Sequence, residues 1–164
     1  MNDQELQQLS AAIGERLKAK EATVSCAESC TGGWIAKVFT DIGGSAAWFE
    51  YGFVTYSDSA KQELVGVSAA SLAQYGAVSE AVVREMAQGA RRVAQADYAV
   101  SVSGIAGPDG GSAEKLVGTV WFGFAVPDGR VVAKSQLFQG DREEVRRQSV
   151  AFALQTLQSD FLAN

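Results

Sequence analysis

The chain has 164 residues, 47% of them apolar and 20% charged, with 17 glycines, a size and balance that support one packed core without disulfide or metal staples. Fourteen basic against nineteen acidic residues leave a net charge of −5, and no basic cluster exceeds Arg91-Arg92 or Arg146-Arg147, which argues against a nucleic-acid partner. The polar start MNDQELQQLS and the lack of any apolar run near the ~20 residues of a membrane span argue against a secretory leader or a membrane partner, and predict a cytoplasmic protein.

Leu6, Leu9, Ile13 and Leu17 recur at helical spacing, predicting an amphipathic helix over about 3–20 with Asp3 in its first turn. The short β-branched run ATVSCA at 22–27 predicts a strand, and helical spacing resumes with Trp34, Ile35, Val38 and Phe39. The stretch CAESCTGGW, Cys26 to Trp34, therefore lies at a strand-to-helix turn. The aromatic run AWFEYGFVTYSD at 47–58 predicts a long strand, followed by a helix in SAKQELVGV with Lys61 in its first turn.

Ser79 reads as the N-cap of a helix that ends near Ala96 and keeps Val82, Val83, Met86, Ala90 and Val93 on one side. DYAVSVSGIAGPDGG predicts a strand over 97–103 running into a loop with Gly104, Gly107, Pro108, Gly110 and Gly111. VGTVWFGFAVPDGRVVAKSQLF predicts two antiparallel strands joined at Asp128–Gly129, and a last helix runs from about 141 to 162. Helices alternating with strands, then a hairpin, predict a single α/β domain over 1–164: three layers, α/β/α, around a mixed, mostly parallel sheet. Its strand order is not legible, but both special loops follow strand ends, where sites of open α/β sheets gather.

The chemistry is narrowed by what is missing. The chain has no histidine, so imidazole-based acid/base schemes are ruled out and Cys26 and Cys30 lack the partners of a metal site. In ESCTGG, Ser29 or Thr31 can simply cap the helix that begins near Gly32. Equally, a hydroxyl at a helix start can serve an oxyanion or a phosphate. A serine nucleophile then needs a lysine held neutral, its pKa depressed from ~10.4 by burial. Lys61, at a strand exit, and Lys115, beside the glycine loop, are the better-placed lysines. Tyr56 can orient Lys61 or relay a proton, and Ser45 is a second hydroxyl. Ser103 and Gly104 offer amides to an anion, to which Thr119 or Arg142 can add donors. Cys30 is a third nucleophile to consider, though without a histidine partner.

The stretches AESCTGGWIAKVFTDIGGSAAWFEYGFVTYSDSAK, GAVSE and VSGIAGPDGG followed by KLVGTVWFGF resemble, in that order and over nearly the whole chain, the CinA C-terminal family. More narrowly, they resemble its stand-alone nicotinamide mononucleotide amidohydrolases, leaving no room for the N-terminal domain of longer CinA proteins. The resemblance implies hydrolysis of the carboxamide of nicotinamide mononucleotide to nicotinic acid mononucleotide and ammonia, within pyridine-nucleotide salvage. It also implies a Ser/Lys dyad without metal or organic cofactor, in a homodimer. By motif it makes Ser29 the nucleophile, Lys61 its base, Tyr56 an assistant and Ser45 the rival nucleophile.

The candidate substrate-binding residues are Glu28, Thr31, Gly32 and Gly33 with Ser103, Gly104, Ala106, Gly107, Thr119 and Arg142, and the amides of 31–33 or 104–107 would hold the oxyanion. The chain departs from the pattern at Ser45-Ala46 and Ser57-Asp58, where many relatives read GSS and YSN. The competing reading from a different class is a non-catalytic nucleotide- or phosphate-binding regulatory module.

Overall fold

The computed structural model describes residues 1–163. Helix α1, Asp3–Ala19, is closed by a capping box between Asn2 and Glu5 and buries Leu6, Leu9, Ile13 and Leu17. Strand β1, Val24–Glu28, is buried along its whole length and leads through a tight turn into α2, Trp34–Thr40. A 3-10 turn, Ser45–Ala47, precedes strand β2, Phe49–Val54. The long strand expected over 47–58 is thus trimmed at both ends. Its last residues leave the sheet because the Ser57 hydroxyl accepts the Ala60 amide and starts α3, Asp58–Val65.

Helix α4, Ala69–Tyr75, was not expected from spacing; it buries only Leu72, so it carries almost no apolar periodicity. Helix α5, Glu80–Ala94, has Ser79 as its N-cap, as expected. Strand β3, Tyr98–Gly104, and the hairpin β4, Thr119–Ala125, with β5, Val131–Leu137, complete the sheet. Helix α6, Arg142–Thr156, starts with a capping box at Asp141 and runs on into a π-helical turn, Leu157–Phe161.

The strand order is β2-β1-β3-β4-β5. β1 lies parallel to both β2 and β3, while β4 runs antiparallel to β3 and β5 antiparallel to β4. The pairings are therefore evenly mixed, but only β4 runs against the other four strands. Alternation across the pleat divides the interior into two cores. Cys26, Val100, Val102, Val120, Phe122 and Phe124 pack with α1, α2 and α6, whereas Ala27, Ala99 and Ala125 pack with α3, α4 and α5. Small residues on the second face let α5 approach closely: a side chain at Gly123 would run into the Val83 carbonyl. This layering brings the carboxyl ends of β1, β2 and β3 together, since Glu28 pairs with both Val54 and Val102.

Candidate active site

Ser29 is the first residue beyond β1, and its amide extends the ladder to the Val102 carbonyl at 3.0 Å. Lys61 stands one turn into α3 and is 1% exposed, one of the largest fully buried side chains. Its Nζ donates to the carbonyls of Thr55 at 2.9 Å and Tyr56 at 3.3 Å, and lies 3.0 Å from Ser29 Oγ. Burial lowers the Lys61 pKa, opposed by the neighbouring Asp58 carboxylate and by Cys30. A cavity of about 280 Å³ opens over the pair, walled by Cys30, Tyr56, Asp58, Ala77, Val78, Ser103, Gly104, Ala106 and Arg142.

Arg142, the first residue of α6, spans one side of that cavity. Its Nη1 donates to the Gly107 carbonyl at 2.8 Å and its Nη2 to the Tyr56 hydroxyl at 3.3 Å. The Tyr56 side chain, 63% exposed, is thus engaged by Arg142. It is the main-chain carbonyl of Tyr56, not its phenol, that orients the lysine.

Several expected site residues lie elsewhere. Ser45 sits in the 3-10 turn before β2, whereas Lys61 follows the far end of that strand. Six strand residues at ~3.3 Å each separate the two ends by about 20 Å, so Ser45 does not meet Lys61. Neither Ser29 nor Thr31 caps α2: the helix starts from Gly33 at φ 103° with no side-chain cap at that position. Glu28 does that work from the preceding strand. Fully buried, its carboxylate accepts the Ile35 amide at 2.8 Å, the Ala36 amide at 3.1 Å and the Thr31 hydroxyl at 2.7 Å. A charged acceptor at the positive end of the helix satisfies donors that Gly33 cannot. Glu28 therefore faces the helix and not the cavity, and those two amides are closed to an oxyanion.

Thr31, Gly32 and Gly33 face a second cavity, of about 460 Å³, against Trp34, Lys37, Arg146 and Arg147. Thr119 exchanges backbone bonds with Leu116 and Ile105 and braces the glycine loop from outside the cavity. Gly107 contributes only its carbonyl, to Arg142. Asp58, Ala77 and Val78 also line the cavity, Ala77 and Val78 from the GAVSE stretch. That stretch precedes the Ser79-capped helix, so its placement depends on how α5 packs and has no chemical signature of its own.

Cys30 also lines the cavity, but burial pushes its thiol up to about 11, and the Cys26 thiol is raised well above its usual range by burial and by Glu28. Neither is a thiolate near neutrality. Cys30→Ala is accordingly expected to keep turnover of the same order as the parent, measured as steady-state kcat. Among the described residues no group of three or more acidic or cysteine side chains gathers as a metal site, and no helix is long and apolar enough to cross a membrane.

The family described as CinA C-terminal domain matches residues 6–161. The chain belongs to the CinA C-terminal domain family. It is 63% identical over 164 residues to the nicotinamide-nucleotide amidohydrolase PncC of Escherichia coli (strain K12), covering 100% of this chain and 99% of that protein. It is 51% identical over 150 residues to the protein of the same description from Pseudomonas putida, covering 91% and 92% respectively. The crystal structure of competence damage-inducible protein A (ComA) from Klebsiella pneumoniae superposes with a TM-score of 0.91 at 40% identity, over 94% of this chain and 96% of that one. The CinA match includes Ser29, Lys61, Arg142 and every wall of the cavity between them.

Proposed function

We propose that this CinA-family domain hydrolyses the carboxamide of nicotinamide mononucleotide, releasing nicotinic acid mononucleotide and ammonia, with Ser29 as nucleophile and Lys61 as base. The observation that carries the reading is the environment of the Lys61 amine. Its three neighbours are two carbonyls, which only accept, and one hydroxyl, which can donate. A neutral amine has two N–H bonds and one lone pair. In that neutral form the carbonyls of Thr55 and Tyr56 take the two hydrogens and the lone pair faces the Ser29 hydroxyl, whereas the protonated amine donates its third hydrogen to Ser29 Oγ. Burial favours that neutral form. The high identity to proteins named as nicotinamide-nucleotide amidohydrolases supports the substrate.

In the first step Ser29 Oγ bonds to the amide carbon as its proton passes to Lys61. The C–N bond then breaks, and the proton goes from Lys61 to the departing nitrogen, giving ammonia and an ester on Ser29. Water next attacks that ester, giving its proton to Lys61, which returns it to Ser29 as the acid leaves. Arg142, at the cavity wall, supplies the cation nearest the site for the substrate's phosphate. On this reading the product feeds pyridine-nucleotide salvage in the cytoplasm.

Purified protein is expected to release ammonia from nicotinamide mononucleotide at a rate unchanged by EDTA, followed by coupled assay. Saturable binding of the nucleotide without ammonia release would instead favour a regulatory module.

A further inference from the structure

The turn after β1 is the wall between two cavities. Ser29 and Cys30 line the one that holds Lys61, while Thr31 to Gly33 line the other with Arg146. Arg146, in the second turn of α6, grips this wall from the second side. Its Nε donates to the Cys30 carbonyl at 2.9 Å and its Nη2 to the Thr31 carbonyl at 3.2 Å. The guanidinium is backed by Trp34, whose ring centre lies 5.6 Å away. Gly32, at φ +60°, gives the turn a left-handed backbone that glycine adopts without strain. Glu28 holds the same turn through the Thr31 hydroxyl, so it is fixed from both ends.

The grip has a directional consequence. In a planar trans peptide the carbonyl and the following N–H point in opposite directions. With the Cys30 carbonyl drawn towards Arg146, the Thr31 N–H of the same peptide is aimed away from that guanidinium. That amide has no hydrogen-bond partner among the described residues, although Thr31 is fully buried. Buried backbone donors are almost always satisfied. An unpaired one beside a nucleophile has the chemistry of an oxyanion donor.

We infer that Arg146 is a positioning residue for the amide hydrolysis proposed above: it holds the Cys30-Thr31 peptide so that the Thr31 N–H receives the developing oxyanion. The inference rests on the assignment of Ser29 as nucleophile. Arg146 itself touches neither substrate nor reacting atoms; it acts through the main chain of the turn. Arg146 meets the two carbonyls through separate nitrogens, Nε and Nη2, fixed in one plane, and a single ammonium on a shorter head does not reproduce that spacing.

The test compares Arg146→Ala and Arg146→Lys with the parent on nicotinamide mononucleotide. Loss of one oxyanion donor typically costs ~100- to 1000-fold in kcat, and a misaimed one is expected to cost about 10- to 100-fold. Both variants should lose kcat on that scale while KM stays within about threefold. Added guanidinium ion should restore part of the kcat of Arg146→Ala and none of that of Ser29→Ala. A kcat within about twofold of the parent, or a loss confined to KM, overturns the inference. So does failure of guanidinium to rescue a folded Arg146→Ala. Should Arg146→Ala not fold, Arg146→Lys with a parental melting temperature decides by the same kcat criterion. Full turnover in Ser29→Ala would remove the proposed reaction itself. Dead Ser29→Ala with parental Arg146→Ala removes only the role of Arg146.

Discussion

Replacing Ser29 by alanine is expected to lower kcat for nicotinamide mononucleotide by at least ~100-fold, whereas Ser45→Ala stays close to the parent. The contrast follows from position. Ser29 Oγ is 3.0 Å from the one buried amine of the cavity, and Ser45 lies beyond the opposite end of β2. The Ser29→Ala side chain removes one oxygen from a site whose backbone is held by β1, by Glu28 and by Arg146. The variant should therefore fold and still bind the nucleotide, so that kcat and affinity separate in steady-state kinetics and titration calorimetry. Parental turnover in Ser29→Ala, with loss in Ser45→Ala, would reverse the assignment.

Lys61→Met is expected to cost a similar ~100-fold or more, the usual scale for removing a general base, and to change the response to pH. In the parent, the active form is the neutral amine. Activity should accordingly rise with pH through the Lys61 pKa, and the midpoint of kcat/KM should fall below the 10.5 of an ordinary lysine because burial destabilises the cation. Asp58 pulls the other way, so Asp58→Asn should move that midpoint to lower pH. In Lys61→Met the rising limb should vanish.

On replacement of Lys61, stability should move in the opposite sense to activity. With the folded pKa below the unfolded value, holding the charged amine costs the folded chain in full below the folded pKa, so this group opposes folding at neutral pH and ceases to do so as pH rises through both values. Lys61→Met is thus expected to raise the thermal midpoint near neutrality while removing turnover. A lowered midpoint with activity retained would contradict both expectations.

Much of this protein is legible along the chain because its rules are local. The periodicity of Leu6, Leu9, Ile13 and Leu17, the Ser79 cap and the Asp128–Gly129 turn each depend on residues within a few positions of one another, and each appears in the structure where spacing puts it. Helix α4 escaped because a helix with one buried residue has no period to read. The lack of histidine excluded imidazole chemistry and left Lys, Asp, Glu or Tyr as the base before any fold was known, since that follows from composition alone.

The choice of partners was another matter. Ser29 and Lys61 are 32 positions apart, and Ser45 lies between them, nearer to Lys61 in sequence than Ser29 is. Sequence distance favours Ser45, whereas the structure sets Ser29 beside Lys61. Parallel pairing of β1 with β2 reverses that order: it sets Glu28 beside Val54, so the residues that follow each strand meet at one end and Ser45 is carried to the other. Glu28 shows the same limit at shorter range. As the neighbour of a nucleophile it reads as a substrate ligand, but the pleat turns its carboxylate onto the start of α2. Arg146 is 115 positions from the turn it grips, a contact that exists only because α6 packs on the same face as α2. By itself, then, the sequence determined most of the elements that form, the family, and which chemical groups are on hand. Which of those groups face one another was decided by the register of a parallel sheet and the face on which each helix packs, because contacts across crossovers depend on three-dimensional pairing that no local pattern encodes.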